Sequence, residues 1–210
     1  MPDIILLTGE TEFPFLSDLL RPYAGSAEIS HAGSLEDLKR LCRTGPERHR
    51  RLIGFCTSVI VPEEIISSLD GNCYNFHPAP PSYPGYHPAS FAIYNGATTF
   101  GATAHRMTAT VDAGEIVGTG TFAVPPGCNL GDLLIAAYSA TASLFSELAP
   151  KLAKTDVPLP PVQVEWGDHT YRKADHERMR KITASMDRNE MKRRLEAFGE
   201  IYSPLPTNSH

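Results

Sequence analysis

Three polar residues of this chain, Asn75, His77 and Asp112, have the types and spacing that carbonyl chemistry needs. Side chains two apart in a strand point to the same side, so the amide of Asn75 and the imidazole of His77 can converge on one carbonyl oxygen. An amide donor stabilises a developing oxyanion, and an imidazolium does so more strongly. Asp112 can raise the proton affinity of the histidine, orient its ring, or accept a proton through water. The set suits acyl transfer without a covalent intermediate, since the sequence contains no G-x-S-x-G nucleophile turn.

Two other interpretations compete with catalysis for the same residues. Most histidines are structural or lie at the surface, so an Asn-x-His pair alone is a weak signal. His87 and His105 could join His77 and Asp112 in a zinc site, because zinc accepts histidine and carboxylate ligands. The spacing matches no named metal motif, and we therefore expect no metal. His87 and Tyr86 can instead line the pocket of an amine substrate.

The elements that must position these residues alternate between strand-like and helix-like patterns. Apolar runs predict strands near residues 4–8, 27–31, 52–57, 73–76, 100–107 and 115–124. Helical spacing and capping signals predict helices that begin near Pro14, Ser34, Pro62, Ala89 and Asn129. This alternation predicts an α/β fold with a Rossmann-like, mostly parallel sheet flanked by helices. Ligands of such sheets bind beyond the strand ends, where His77 and Asp112 are expected.

Prolines at 158, 160 and 161 predict a linker between a catalytic domain of residues 1–157 and a short C-terminal extension of residues 158–210. Within the extension, Val162 to Trp166 predicts one more strand. Ala174 to Phe198 predicts a single helix, with Gly199 as its cap. The extension either covers an acceptor pocket or pairs with a second subunit in a homodimer, and the sequence leaves both alternatives open.

Composition restricts the classes of function. The 210-residue length fits one domain with an extension, and 41% hydrophobic with 20% charged residues is ordinary for a globular protein. A net charge of -5 argues against broad binding of nucleic acid or of anionic membranes. The N-terminus lacks the basic region and the apolar length of a signal peptide or membrane span, so we expect a cytoplasmic protein.

The stretch of residues 75–124 resembles the catalytic domain of the folate-dependent formyltransferases. The matching text, in order, is N-F-H-P at 75–78, Y-P-G at 83–85, A-I-Y-N-G at 92–96, a glycine at 101 and D-A-G at 112–114. That family includes glycinamide ribonucleotide, methionyl-tRNA and sugar-amine formyltransferases, and the formyltetrahydrofolate hydrolases. Because order and spacing agree over about fifty residues, the set is more specific than any single motif.

The resemblance implies a role for each polar residue. Asn75 and His77 would stabilise the oxyanion on the transferred formyl group, while Asp112 would position a water or the histidine for proton relay. The co-substrate would be 10-formyltetrahydrofolate, and its pterin would contact two loops largely through backbone groups. The residues of these loops are Thr57, Ser58, Val59, Ile60, Met107, Thr108, Ala109 and Thr110.

Three departures from the family pattern bear on the acceptor and on the fold. The loop after His77 is one residue shorter than is common in the family and lacks its paired leucines. Glu10 and Glu12 occupy the first strand-to-helix turn, where glycinamide ribonucleotide formyltransferases cradle phosphate with backbone N–H groups. Two carboxylates there argue against that acceptor. The segment before Asn75 is short, which predicts a missing unit or compressed helices.

The sequence therefore predicts a transferase of one-carbon metabolism that moves a formyl group from 10-formyltetrahydrofolate to an amine or hydroxylamine of a small molecule. Hydrolysis of the same co-substrate is the first alternative, because water can replace the amine at the same three residues. A folate-binding module without turnover is the second alternative, and the presence of Asn75, His77 and Asp112 argues against it.

Overall fold

One six-stranded sheet organises the computed structural model of this chain, which describes residues 1–43 and 49–199. The strands are β1 (Asp3–Leu7), β2 (Ile29–Ala32), β3 (Arg50–Phe55), β4 (Cys73–His77), β5 (Thr99–Arg106) and β6 (Ile116–Ala123). Their order across the sheet is β2-β1-β3-β4-β5-β6. The first four strands are parallel, and β5 and β6 pair antiparallel at one edge. The predicted Rossmann-like α/β architecture is confirmed.

Helices cover both faces of the sheet. They are α1 (Glu12–Ala24), α2 (Leu35–Arg43), α3 (Glu63–Ser68), α4 (Pro88–Asn95), α5 (Leu130–Lys154), α6 (Lys173–Arg180) and α7 (Arg188–Phe198). Because side chains alternate along a strand, β1 places Ile4 and Leu6 in the core beneath α1 and α5, and Ile5 and Leu7 in the core beneath α2 and α3. The short segment before β4 is accommodated by short helices, of nine residues in α2 and six in α3.

Helix α5 forms the main support beneath the antiparallel edge. The side chain of Asn129 accepts a hydrogen bond from the Asp132 amide at 2.9 Å, which is the predicted cap. By length and composition alone α5 could cross a membrane. Its buried face, however, includes Leu144, Phe145 and Leu148 and packs on the sheet and on α1, as the core helix of a globular domain does.

The C-terminal extension differs from its predicted structure in two places. Val162 to Trp166 is irregular and forms no strand within the described residues. The predicted helix of residues 174–198 is two helices, α6 and α7, separated by residues 181–187. The β-branched Ile182 and Thr183 disfavour continuation of α6, and the Asp187 side chain begins α7 anew by accepting from the Glu190 amide at 2.8 Å. Residues 200–210 of the extension lie outside the described part of the chain.

The extension packs along the proline-rich loop that follows β4. Tyr171 forms a short parallel bridge with Gly85, in which the Tyr86 amide donates to the Tyr171 carbonyl at 2.8 Å and the Tyr171 amide to the Pro84 carbonyl at 2.9 Å. Further along, Phe198 of α7 contacts Phe91 of α4 edge to face, with ring centroids 5.0 Å apart. The extension therefore fixes the loop that leads away from His77.

Candidate active site

Strand β4 carries Asn75 and His77 at its carboxyl end, and its neighbour β5 adds a second histidine. The antiparallel register pairs Asn75 with His105, and residues paired in this way have Cβ atoms about 5 Å apart. The Asn75 amide nitrogen lies 3.2 Å from His105 Nε2. From the sequence, His105 is a candidate only for the alternative zinc site. The pairing of β4 with β5 is the signal that would have located it at this site.

Asp112 lies between the two histidines. Its Oδ2 is 3.4 Å from His77 Nδ1, and its Oδ1 is 3.2 Å from His105 Nε2. The Gly85 amide also donates to Oδ2, at 2.9 Å. Asp112 is only 4% exposed, and its φ of 48° is in the left-handed region, which aspartate adopts more readily than most residues. The structure thus brings together Asn75, His77 and Asp112 and adds His105.

Two glycines fix the backbone around this carboxylate. Gly85 has a φ of 99°, and a Cβ there would collide with the Tyr171 carbonyl. At Gly114 a Cβ would collide with the Arg106 carbonyl. Only glycine permits the positive φ at Gly85 and the close backbone approach at both positions. The glycines of the Y-P-G and D-A-G motifs therefore have a physical reason, which is to hold Asp112 beside the histidines.

Each histidine has a backbone carbonyl near its second ring nitrogen. His77 Nε2 is 3.1 Å from the Tyr83 carbonyl oxygen, and His105 Nδ1 is 2.9 Å from that of Arg106. A neutral imidazole has one N–H, so it can donate either to its carbonyl or to Asp112, not to both. One added proton on either ring completes both hydrogen bonds. The cluster therefore has a place for one more proton between the carboxylate and the imidazoles.

Burial and charge set the resting protonation of the site. Burial lowers the pKa of His77, and the neighbouring Asp112 offsets only part of that effect. Burial opposes ionisation of Asp112 as well, but the hydrogen bond from His105, the electrostatic attraction of both histidines when they carry a proton, and the Gly85 amide outweigh it and lower the pKa of Asp112. Near neutral pH the site holds an uncharged His77 and an ionised Asp112, which is the state able to accept a proton.

A cleft opens beside Asn75, His105 and Asp112. Its other lining residues are Thr57, Val59, Ile60, Val61, Ile66, Met107, Thr108, Ala109, Thr110 and Val111. All the residues that the sequence assigned to the pterin therefore border this cleft except Ser58, while Val61, Ile66 and Val111 were missed. Ile60 and Val111 are apolar yet 62% and 45% exposed, which is typical of a surface that a ligand covers.

Trp166 of the extension packs against both histidines. Its indole N–H donates to the Gly114 carbonyl at 2.7 Å. The ring lies edge-on to His105 and to His77, with centroid separations of 5.0 and 6.3 Å. Nothing in the sequence near Trp166 indicated this placement, because it depends on how a distant, irregular segment docks.

The first turn carries negative charge close to the sheet edge. Glu12 begins α1, and the Tyr138 hydroxyl donates to its Oε1 at 3.4 Å. Burial and the charge of Glu12 raise the pKa of Tyr138 and that of the Cys56 thiol to about 12 in each case. A carboxylate with these neighbours repels an anion. Among the described residues, those of the site included, no group of three or more His, Cys, Asp or Glu side chains is arranged to hold a metal.

This chain is similar to known formyltransferases in sequence and in fold. Residues 53–144 match the family model described as formyl transferase. A sugar N-formyltransferase from Shewanella sp FDAARGOS_354 superposes with a TM-score of 0.74 at 14% identity, over 94% of this chain and 88% of that one. A 4-N formyltransferase from Francisella tularensis gives 0.69 at 18% identity, over 93% and 87%. An N-formyltransferase from Helicobacter canadensis, solved with folinic acid and dTDP-3-aminofucose, gives 0.68 at 14% identity, over 94% and 81%.

Proposed function

We propose that this chain, whose residues 53–144 match the formyl transferase family model, transfers a formyl group from 10-formyltetrahydrofolate to an amine of a small-molecule acceptor. The observation that carries the proposal is the position of Asp112. Its carboxylate contacts His77 on one side and His105 on the other, directly beside the cleft that the folate-contacting loops line. Fold alone does not fix function, so this geometry is the stronger support.

The cleft suits a folate in its chemistry. Its walls are apolar side chains such as Ile60 and Met107, interleaved with the backbone of residues 107–112, which can satisfy the polar edge of a flat heterocycle. Similar proteins were crystallised with folinic acid, with 5-N-formyl-THF and with tetrahydrofolate. We assign Thr57, Val59, Ile60 and residues 107–110 to the folate.

Each polar residue has a distinct task in the transfer. Asn75 donates its amide N–H to the formyl oxygen as the amine nitrogen attacks the formyl carbon and negative charge develops there. Asp112 accepts the proton that the attacking nitrogen loses, directly or through water. His77 and His105 hold that proton in the shared position beside the carboxylate. The proton then passes to N10 of tetrahydrofolate as the bond between N10 and the formyl carbon breaks.

Similar proteins, rather than the site itself, indicate the class of the acceptor. Similar proteins were solved with dTDP-3-aminofucose and with a formamido sugar attached to UDP, which makes an amino sugar the first acceptor class to test. We also keep as predictions the division at residue 157, a homodimer, the cytoplasmic location and the absence of nucleic-acid and membrane partners.

The test is release of tetrahydrofolate from 10-formyltetrahydrofolate, measured with and without a panel of amino sugars. We expect release that depends on the amine, together with a formamide product. Release without any amine would instead support the hydrolase alternative. Folate binding without release under any condition would support a non-catalytic module and overturn the proposal.

Two variants connect the activity to the site. His77→Ala should lower turnover by roughly 10²–10⁴-fold, because it removes a group that holds the transferred proton. The matched control is His49→Ala, since His49 is exposed and lies at the start of β3, away from the cleft. Full activity in His77→Ala, with unchanged far-UV circular dichroism, would contradict the assignment.

A further inference from the structure

The segment of residues 157–167, here called the strap, leads from α5 toward the C-terminal helices without regular secondary structure. Because no helix or strand ladder pairs its backbone, individual contacts to neighbouring elements must fix its path. Two of these are backbone hydrogen bonds. The Val162 amide donates to the Ile116 carbonyl at 2.8 Å, and the Gly167 amide donates to the Pro81 carbonyl at 2.9 Å.

Leu159 is the point at which the strap enters the core. Its side chain is 4% exposed and belongs to the core beneath α1 and α5, whereas Val157 and Val164 are 63% and 43% exposed. Both of its backbone groups are bonded as well. The Leu159 amide donates to the Tyr74 hydroxyl oxygen at 2.9 Å, and its carbonyl accepts from Arg106 Nη2 at 2.7 Å. The strap is therefore anchored at this residue by two side chains of the sheet.

The two anchoring side chains have few other polar partners. Tyr74 is fully buried. Arg106 Nη1 forms an ion pair with Glu115 at 2.6 Å, and its buried Nε has no hydrogen-bond partner among the described residues. Since buried donors are normally paired, this unused Nε shows that the guanidinium is oriented by its two Nη groups, one bonded to Leu159 and one to Glu115.

The anchoring pair lies directly behind two residues of the candidate active site. Tyr74 pairs with Arg106 across β4 and β5, and Asn75 pairs with His105 at the next position of the same register. Consecutive residues of a strand point to opposite faces of the sheet. Tyr74 and Arg106 therefore lie on the face toward α5, while Asn75 and His105 lie on the face that carries the site.

The strap connects these two faces by passing around β6, the edge strand of the sheet. Leu159 lies on the α5 face, Val162 bonds to the first residue of β6, and Trp166 contacts the two site histidines on the other face. Trp166 follows Leu159 by seven residues, which span at most about 25 Å when fully extended. So short a connection transmits a displacement of Leu159 to the indole.

We propose that Tyr74 and Arg106 are positioning residues for formyl transfer. By fixing the strap at Leu159, they hold the indole of Trp166 against the two site histidines. The inference rests on the proposed function and extends it to residues that do not line the cleft. While the strap is anchored, the imidazoles keep their place beside the carboxylate and water is excluded; when it is released, the rings can turn and water enters.

Trp166 is the only tryptophan of the chain, so intrinsic fluorescence reports on the strap directly. Tyr74→Phe removes the hydroxyl that accepts from Leu159, and Arg106→Gln removes the guanidinium. In both variants of the full chain the emission should shift to longer wavelength and acrylamide should quench it more strongly, because the indole becomes more accessible to water. The kcat should fall roughly threefold to tenfold, the factor that corresponds to one lost hydrogen bond. The KM for the folate should stay as in the wild type.

Tyr94→Phe and Arg40→Gln are the matched controls. The Tyr94 hydroxyl bonds to a glutamate of α7, and Arg40 pairs with an aspartate of α2, so neither side chain contacts the strap. Both controls should keep the wild-type emission and kcat. Far-UV circular dichroism checks that each variant is folded. If Arg106→Gln does not fold, the more conservative Tyr74→Phe decides alone.

Unchanged emission and acrylamide quenching in folded Tyr74→Phe overturn the inference, and so does an emission shift that leaves kcat at the wild-type value. The fluorescence needs no substrate, which separates this inference from the proposed function. If the emission shifts as expected but the wild type formylates no amine, the anchoring of Trp166 stands and formyl transfer fails. If the wild type formylates an amine and Tyr74→Phe equals it in kcat and emission, transfer stands and the positioning role fails.

Discussion

The two sides of Asp112 are built from different kinds of structure. On the side of Asn75 and His105, the cleft proposed to bind folate, here called the folate cleft, is made by loops that directly follow β3 and β5. Beyond the loop that follows His77, α6 and α7 of the extension pack on α4 in a small cluster around Phe91, Ala197 and Phe198, which is separate from the main core. The polar residues of the site are therefore anchored in the sheet, whereas the extension that contacts the loop after His77 packs largely outside the main core.

The largest expected effect comes from the residue shared by the two sides. Asp112→Asn keeps the shape of the side chain but removes the proton acceptor, so turnover should fall by roughly 10²–10⁴-fold. Single-turnover release of tetrahydrofolate measures this. Asp18→Asn, an exposed residue of α1, is the control and should be fully active. Retention of more than a third of wild-type turnover by Asp112→Asn would remove the carboxylate from the mechanism.

Trp166→Ala tests whether the extension supports the chemistry by packing against His77 and His105. Loss of the indole frees the rings of His77 and His105 and admits water, so kcat should fall roughly tenfold. The dissociation constant of 5-formyltetrahydrofolate should change less than threefold, because Trp166 does not line the folate cleft. A folate affinity that falls as much as kcat would show that the two sides are not separable.

Ile60→Ser tests the folate side alone. Ile60 is 62% exposed at the cleft, and covering such a side chain contributes on the order of 1 kcal/mol to binding, so the KM for the folate should rise about fivefold. The KM of the amine should not change. Ile135→Ser offers a matched control, because Ile135 is 70% exposed on α5 and lies outside the cleft. Equal effects of the two substitutions would place the folate elsewhere.

The smallest effect concerns stability and pH. Because the folded-state pKa of His77 is lowered, the unfolded chain takes up a proton near pH 6.5 that the folded chain does not, and stability falls as pH drops below that value. Asp112 has a lowered pKa too, so its contribution is lost only below about pH 4. Urea denaturation at pH 7 and pH 5 should show a slope no steeper than about 1.4 kcal/mol per pH unit for this histidine.

His77→Gln should reduce that slope between pH 7 and pH 5. Glutamine does not titrate, so one proton fewer is taken up on unfolding. The wild-type slope, measured in the same urea series, is the reference. A slope unaffected by His77→Gln would mean that His77 titrates normally in the folded protein.

The sheet and the chemical residues could be predicted from sequence because both depend on local pattern. Continuous apolar runs fixed the six strands to within a few residues, and the spacing of Asn75, His77 and Asp112 located the site. His105 needed the β4–β5 register, which is a long-range property. The contacts of Trp166 with both histidines needed the docking of an irregular segment, and no periodicity describes an irregular chain.

The bridge between Gly85 and Tyr171 also has a consequence for the timing of activity during synthesis. The residues proposed as catalytic are all present once residue 114 has been made, yet Gly85, which donates to Asp112, is held in place by backbone that is translated much later. A growing chain can therefore complete most of its sheet while its catalytic centre is still unsupported. Activity should appear only when residues 158–171 have left the ribosome and docked, so docking of the extension completes the support of Asp112.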